Sequence, residues 1–383
     1  DSLIVVVGTD ECTYYTKSMT IHSEKFGGID GRCVSVVLDD HDVTFGSAEK
    51  VQEAFKEIIE EYRPQCVFLV TTCVIEIIGD DFDAISEGLS KLYGIPVLPV
   101  HTEHFKCEDH LPGLERTITV CAEMMKSCDC ENSVNLLGQR MGDFATTELY
   151  AMLQKAGVKI GLQLPCGCSV DDIKNAAAAK VNIVVNDIAL PLAQKMQEKF
   201  GIPYVYFNKF VIPEKIYEAY KNLFVYLDLE LPGELEGLYQ NAREKIEKNK
   251  GELEGITYIY GNTPYAVFEM NCFLSSLGMV PQVIQTNRYT EADEPYAKEI
   301  LQYTDPYVCK AANIAPLQYV YDVLSPYLYL GHEFGNRLRQ KGIAIVDSDR
   351  ASGMLGFEVT GYLLQQLVKS VREAKEYRKE LGL

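Results

Sequence analysis

The sequence predicts an α/β protein with three Rossmann-like domains, each a parallel sheet flanked by helices. Short apolar runs rich in Val and Ile alternate with helical patterns in three successive cycles. This alternation is typical of parallel strands joined by crossover helices. The length of 383 residues is enough for two or three domains of ordinary size.

The first cycle opens with the apolar run at 3–7, and the helix at 47–61 has apolar residues at helical spacing, such as Val51, Phe55 and Ile58. Gly ends the helical patterns of the first two cycles and Pro opens the strand that follows, as in Gly94-Ile95-Pro96 and Gly201-Ile202-Pro203. The predicted strands of the first cycle are 3–7, 33–38, 66–70 and 95–99, with helices at 47–61 and 81–92.

The second cycle opens at Val134 and the third at Ile256. Residues 213–250 are predicted to be helical and to form a long helical connector, and a final helix is predicted at about 354–379. The predicted domains are residues 1–131 together with 350–383, residues 132–250, and residues 251–349.

Composition excludes several classes of function. The chain has 36 Lys and Arg against 55 Asp and Glu, a net charge of −19, which disfavours nucleic acid and anionic membranes as partners. No apolar run approaches the roughly twenty residues of a membrane helix, and the first residues read as a strand rather than a signal peptide. We therefore expect a cytoplasmic protein, whose twelve cysteines are thiols or metal ligands rather than disulfides. We expect Cys66, Cys121, Cys272 and Cys309 to be core residues.

Two lone cysteines follow neighbouring strands of the first predicted sheet. Cys12 comes after strand 3–7 and Cys73 after strand 66–70. The carboxyl ends of parallel strands meet at one edge of a sheet, so the two thiols can converge there. Thiolates bind iron–sulfur clusters, zinc and copper(I), and neither site has the paired spacing of structural zinc. The alternative interpretation is two partly buried thiols without a ligand.

The same segments carry a family resemblance. Gly8 to Tyr15, Asp39 to Gly46, and above all Thr71 to Asp81, with Cys73 followed by Ile78-Gly79-Asp80-Asp81, resemble the nitrogenase component 1 family. That family holds both subunits of the molybdenum–iron protein, cofactor-assembly scaffolds and dark-operative tetrapyrrole reductases. The similarity covers nearly the whole chain and is weaker over 251–383.

The resemblance implies that Cys12 and Cys73 are ligands of an iron–sulfur cluster. The family usually has a third cluster cysteine, at a position that would precede Asp1. Either an upstream segment supplies it, or two chains supply two cysteines each and complete a 4Fe–4S cluster at a subunit interface. The partner would be an identical chain or a paralogue. A separate ATP-dependent iron–sulfur reductase would deliver the electrons.

Two departures from the family pattern concern the anchors of the catalytic iron cofactor. The anchoring cysteine falls at Asn186, and the anchoring histidine falls near Val346 or Asp347. The resemblance therefore implies a nitrogenase-like oxidoreductase subunit that reduces a substrate other than dinitrogen. The alternatives are a scaffold for iron–sulfur cofactor assembly, and a metal or tetrapyrrole binding protein.

Two further groups could hold a second metal. Cys166 and Cys168 share one loop around Gly167 and could bind a metal or act as a redox pair; otherwise they are incidental thiols on a tight turn. The loop from His101 to His110 includes His104 and Cys107, which could also bind a metal. Its alternative interpretation is a solvated polar loop.

Overall fold

The computed structural model forms three parallel sheets flanked by helices among the residues that it describes, which confirms the predicted fold class. The described chain divides into two compact units, residues 1–138 with 160–204 and residues 139–159 with 205–383. None of the described helices has the length and apolar character needed to cross a membrane. The structure describes residues 1–21, 32–107, 111–140, 142–208, 210–261, 263, 265–310, 314–348 and 350–383.

The first sheet has the strand order β2-β1-β3-β4. Its central strands β1 and β3 bury residues on both faces, as the adjacent pairs Val5 and Val6 of β1 and Cys66 and Val67 of β3 show, which explains their continuous apolar sequence. Val7 pairs with Thr71, so the carboxyl ends of β1 and β3 lie side by side. The elements are β1 Ser2–Gly8, α1 Asp10–Ile21, β2 Cys33–Val37, α2 Asp40–Phe45, α3 Ala48–Tyr62, β3 Cys66–Thr71, α4 Cys73–Ile78, α5 Phe82–Tyr93, β4 Val97–Val100 and α6 Leu111–Thr119.

The second sheet has the order β6-β5-β7-β8 and falls largely in the first unit. Two fully buried amides tie its strands together: Asn135 donates to the Asn182 side chain at 2.8 Å and accepts from the Leu162 amide at 3.0 Å. The elements are β5 Ser133–Gln139, α7 Glu148–Lys155, β6 Lys159–Pro165, α8 Val170–Lys174, β7 Val181–Val184, α9 Leu190–Phe200 and β8 Tyr204–Tyr206.

The predicted single connector at 213–250 is wrong in one respect, because it consists of two helices. These are α10 Pro213–Leu227 and α11 Leu235–Leu253. Asp228 ends α10 in the left-handed conformation with φ of 58°, and Pro232 follows in the link, where proline disfavours a continuing helix.

The third sheet has the order β11-β10-β9-β12-β13 and lies in the second unit. The final helix α16 packs on β13 and α11, with Val359, Leu363 and Leu367 in the same core as Tyr258. Residues 350–383 thus pack with the third sheet. The predicted domain division groups them with the first domain, and that division stays a prediction. The elements are β9 Thr257–Tyr260, α12 Val267–Ser276, β10 Val280–Gln285, α13 Glu294–Ile300, β11 Tyr307–Cys309, α14 Ile314–Leu324, β12 Leu328–Leu330, α15 Gly335–Arg339, β13 Ala344–Val346 and α16 Glu358–Leu381.

A half-buried carboxylate joins α7 to the start of α16. Glu148 Oε1 accepts hydrogen bonds from the Tyr220 hydroxyl and the Phe357 amide, each at 3.0 Å. Burial raises the pKa of Glu148, and the nearby Glu358 carboxylate raises it further, while the two hydrogen bonds oppose the shift. The folded protein therefore binds a proton at Glu148 more readily than the unfolded chain does.

Replacement of Glu148 with Gln should flatten the pH dependence of stability. Because the pKa of Glu148 is higher in the folded protein than in the unfolded chain, protonated Glu148 contributes stability below the unfolded pKa of about 4.3. That stability is lost as pH rises through the folded-state pKa of Glu148. The advantage of the Gln variant over the parent in urea unfolding should therefore grow as pH rises above about 4.3 and level off once the folded-state Glu148 is ionised.

Glu123→Gln is a control variant in which the pH dependence of stability should change in the opposite direction. The Lys195 ammonium, 2.5 Å away, lowers the pKa of Glu123, so Glu123→Gln should lose stability at neutral pH and approach the parent at low pH. An unchanged pH profile of the Glu148→Gln variant would contradict the assignment.

Candidate metal centre

The structure brings the thiols of Cys12 and Cys73 together at the carboxyl edge of the first sheet. Cys12 lies in the first turn of α1, directly after β1, and Cys73 is the first residue of α4, directly after β3. Their sulfur atoms are 3.6 Å apart and both side chains are half-buried. The convergence follows from the strand positions in the sequence, while the role of the two thiols as ligands remains a prediction.

A glycine allows the two loops to approach each other. A Cβ atom on Gly8 would lie only 2.1 Å from Thr72 Oγ1 and 2.8 Å from Thr72 Cγ2. Thr72 is the N-cap residue of α4 and is buried. Since no side chain fits between β1 and this cap, Gly8 sets the distance between the segments that carry Cys12 and Cys73.

A carboxylate anchors the helix that carries Cys73. Glu76 Oε1 accepts hydrogen bonds from the Thr71 hydroxyl at 2.7 Å, the Glu103 amide at 2.6 Å and the Thr102 hydroxyl at 3.2 Å. Arg116 in turn donates to the Thr102 carbonyl at 2.9 Å and pairs with the Glu103 carboxylate. These bonds hold α4 against the turn after β4, so the position of Cys73 is fixed by its surroundings.

The environment of the thiol pair suits a soft metal. Burial raises the pKa of Cys73, and the neighbouring Cys12 thiol raises it further. Without a metal the Cys73 thiol is therefore protonated at neutral pH, and a metal ion would have to displace that proton. Two convergent, half-buried sulfur donors fit iron or an iron–sulfur cluster, with other ligands coming from outside the pair.

Exposed apolar side chains lie on α1, on α4 and on the segments next to α4, and we call this set the apolar rim: Tyr14, Tyr15, Phe45, Ile77 and Phe105. Tyr15 follows Cys12 by three residues and Ile77 follows Cys73 by four, so each lies about one helical turn from its thiol. Tyr15 and Ile77 are each 67% exposed and Phe45 is 76% exposed. Clustered exposed apolar residues mark interaction surfaces.

A cavity of about 460 Å³ opens beside Cys73 at the same edge. It is lined by apolar and charged side chains of α4 and the loop after β4, among them Ile77, Phe105, Glu76, His101 and Lys106. The rim and the cavity were missed by sequence reasoning, because no spacing rule shows which apolar residues a fold leaves exposed.

The loop after β4 carries two further predicted metal ligands, His104 and Cys107. Cys107 is half-buried, and its thiol donates to the Thr102 carbonyl at 3.8 Å. The side chain of His104 lies outside the described part of the structure, as do residues 108–110. The predicted metal site at His104 and Cys107 thus stays a prediction.

The loop of Cys166 and Cys168 leads to the amino edge of the first sheet, opposite the edge that carries Cys12 and Cys73. The amide of Val170, two residues after Cys168, donates to the Asp1 carboxylate at 2.9 Å, and Asp1 precedes β1 at the amino edge of the first sheet. Cys166 is exposed and Cys168 is half-buried. The structure therefore does not bring these two predicted metal ligands to Cys12 and Cys73.

The positions that the resemblance assigns to cofactor anchors have ordinary structural roles. Asn186 is an N-cap whose side chain accepts from the Ile188 amide at 3.2 Å, and it packs closely against Gly138. Val346 is buried in β13, whereas Asp347 is exposed. Neither anchor is replaced by another thiol or imidazole at these positions.

Known proteins similar to this chain share its fold. Nitrogenase iron-molybdenum cofactor biosynthesis protein NifE of Rippkaea orientalis is 26% identical over 278 residues, 69% of this chain and 58% of that protein. NifE of Clostridium pasteurianum is 30% identical over 54% of this chain and 46% of that protein. The nitrogenase molybdenum-iron protein alpha chain of Methanosarcina barkeri is 24% identical over 73% of this chain and 55% of that protein.

The chain spans about half the length of these curated relatives. The solved structure of nitrogenase Cp1 at pH 6.5 superposes with a TM-score of 0.76 at 14% identity, over 99% of this chain and 90% of that one. The sequence profile of the family described as nitrogenase component 1 type oxidoreductase matches residues 1–372. With all three sheets inside that match, the chain belongs to the nitrogenase component 1 type oxidoreductase family.

Proposed function

We propose that this protein binds an iron–sulfur cluster through Cys12 and Cys73 and serves as a scaffold for the assembly of a larger iron–sulfur cofactor. The observation that carries the proposal is the approach of the two sulfur atoms to 3.6 Å at an accessible sheet edge. Gly8 and Glu76 hold the segments of the two thiols in place, and Tyr15 and Ile77 present apolar surface one helical turn away. Nothing else in the described first unit offers two convergent, accessible thiols after neighbouring strands.

The assembly role is supported by the two positions that lack metal anchors. Asn186 and buried Val346 cannot bind iron as a thiolate and an imidazole would. A scaffold must release its cargo, so weak anchoring suits it better than it suits a catalyst. The names of the NifE relatives point in the same direction.

The apolar rim supports a subunit interface at the thiol pair. A 4Fe–4S cluster takes four cysteine thiolates, and this pair supplies two. A second chain, identical or paralogous, that packs on the apolar rim would add its own thiolates and exclude water from the cluster. The bound cluster would supply one-electron chemistry. The residues of this chain would hold it, through the Gly8–Thr72 contact and the Glu76 anchor, and keep it dry in a cytoplasmic protein.

A second candidate function is reduction of a small substrate other than dinitrogen, with electrons from an ATP-dependent iron–sulfur reductase. The cavity of about 460 Å³ beside Cys73 favours it, because His101, Lys106 and Glu76 could bind and protonate a small polar molecule there.

Transfer of iron to an acceptor separates the two functions. The anaerobic, iron-loaded protein would be mixed with a metal-free family member that carries the cysteine and histidine anchors, and the two would be separated and assayed for iron. We expect net transfer of iron to the acceptor. The iron whose binding requires Cys73 should stay on this protein. Turnover of an added substrate with reductase and ATP, without iron transfer, would favour the second candidate instead.

A further inference from the structure

The cavity beside Cys73 is continuous with the apolar rim. Ile77 and Phe105 belong to the rim and also line the cavity, and their side chains are 67% and 66% exposed. The cavity volume of about 460 Å³ is many times the roughly 30 Å³ that one water molecule occupies. The described residues that line it do not include Cys12 or Cys73, so it is a separate receptor next to the thiol pair.

Two carboxylates in the cavity wall are held only by neutral donors. Glu76 Oε1 accepts from two threonine hydroxyls and the Glu103 amide. Asp80 Oδ2 accepts from the amide of buried Ser47, at 2.7 Å, and from its hydroxyl. Within the described chain, neither carboxylate takes part in an ion pair. These hydrogen bonds orient the two carboxylates toward fixed positions and leave their negative charge without a cationic partner.

The cations close to this wall are already paired with other acids. Lys106 Nζ lies 2.8 Å from Glu103 Oε1, and the Arg116 guanidinium pairs with the other oxygen of the same carboxylate. His101 Nε2 lies 3.2 Å from Asp83 Oδ1. The positive charge around the cavity is thus matched by Glu103 and Asp83, and a cationic ligand is what the two remaining carboxylates suit.

The shape of the cavity favours an organic cation over a metal ion. Among the described residues, the group with three ligand atoms within 4.8 Å of one another is Asp39, His41 and Asp42, and none of these lines the cavity. Arginine and lysine combine an apolar stem with a charged head. The apolar wall at Ile77 and Phe105 suits such a stem, and a guanidinium group can donate to carboxylates through its fork of N–H groups.

We propose that this cavity receives an arginine or lysine side chain of a partner protein that packs on the apolar rim. The inference deepens the proposed function and rests on its subunit interface at the thiol pair. The apolar rim would supply buried area for the partner, and the cavity would fix its position through one charged side chain.

The charge at this edge indicates that the partner has a different sequence. Asp10 and Glu11 are exposed in the first turn of α1, next to Cys12. A second copy would place its own Asp10 and Glu11 at the same interface, and like charges that face each other oppose association. The net charge of −19 on each chain adds repulsion at longer range. A partner with basic residues around an apolar centre complements this surface.

A pair of small probes tests the cavity. N-acetyl-arginine methylamide is titrated into the anaerobic protein by calorimetry, beside N-acetyl-citrulline methylamide, which has nearly the same shape without the charge. The arginine probe should give a saturable signal and bind at least about fivefold more tightly than the citrulline probe, because charge-assisted hydrogen bonds are roughly twice as strong as neutral ones. Added salt should weaken the arginine probe and leave the citrulline probe unchanged.

Replacement of each wall carboxylate locates the binding. Asp80→Asn and Glu76→Gln should each weaken the arginine probe about fivefold, since each variant keeps an oxygen acceptor and loses the charge. The matched control is Glu87→Gln on α5, because Glu87 is exposed and already paired with Lys91 at 2.5 Å. Its affinity for the arginine probe should equal that of the parent. Circular dichroism confirms that each variant is folded.

Three results would overturn the proposal. They are equal affinity for the arginine and citrulline probes, parental affinity in both folded carboxylate variants, and a dimer of identical chains in sedimentation that Ile77→Asp dissociates. The iron content of Asp80→Asn should equal that of the parent, because Asp80 is not a proposed ligand. Iron in the Cys73 variants reports on the cluster ligands alone, so failure of the proposed function is recognised separately.

Discussion

Cys73→Ser should abolish the visible charge-transfer absorbance of the anaerobically prepared protein and remove most of its iron and sulfide. A serine hydroxyl is a harder and far less acidic donor than a thiol, so it does not replace a thiolate at iron. Cys12→Ser should have the same effect, since the two sulfur atoms lie 3.6 Å apart and are proposed to hold the same cluster. The measurement is iron and sulfide per chain, with the electron paramagnetic resonance spectrum of the reduced protein.

The matched control is Cys309→Ser. The sequence predicts Cys309 to be a core residue, and this prediction is wrong, because β11 is an edge strand of the third sheet and its Cys309 thiol is exposed. Its replacement should therefore leave the iron content and the absorbance at parental values. Circular dichroism and thermal unfolding of each variant separate loss of the ligand from loss of the fold. Full retention of iron and sulfide in folded Cys73→Ser would show that Cys73 is not a ligand.

Gly8→Ala should both destabilise the protein and lower its iron content. The new methyl group would lie 2.1 Å from Thr72 Oγ1 and 2.9 Å from Thr72 Cβ, so the β1 end or the α4 cap must shift. Overpacking of this kind costs about 1–3 kcal/mol. Because Cys73 follows Thr72 directly, the shift also moves a predicted ligand. The measurements are the free energy of unfolding in urea and iron per chain.

Gly88→Ala is the matched control for this change. Gly88 lies inside α5 and no atom comes within 4 Å of its Cβ position, so alanine should be neutral or stabilise by up to about 1 kcal/mol. The double variant Gly8→Ala with Thr72→Ala removes the Oγ1 and Cγ2 atoms and should restore part of the lost stability. Equal stability of Gly8→Ala and the parent would contradict the claim that Gly8 sets the distance between the segments that carry Cys12 and Cys73.

The fold was largely predictable because parallel sheets leave a local signal. Strands such as β1 and β3 are buried on both faces, and their apolar runs stand out against the amphipathic helices. The break between α10 and α11 was missed, since a helical pattern continues on both sides of Asp228 and its left-handed backbone is not visible in composition. The packing of α16 on α11 was also missed, because it depends on a contact between segments about a hundred residues apart along the chain.

The candidate metal centre was likewise predictable from the sequence only in part. Strand ends in the sequence predict that Cys12 and Cys73 can meet, because strand direction alone places both at one edge. Sequence reasoning took Cys121 for a core residue. It is buried as expected, and its thiol donates to the Thr117 carbonyl of the preceding helix at 3.5 Å.

The sequence by itself determined the class of the fold, the family and the pair of thiols at its first sheet, because these depend on local periodicity and on the order of strands. The tertiary structure decided how near the two thiols come, how closely Gly8 lets their segments approach, and which apolar residues remain exposed near them. Those features are set by contacts between residues distant in sequence, and such contacts exist only once the sheets and helices have packed.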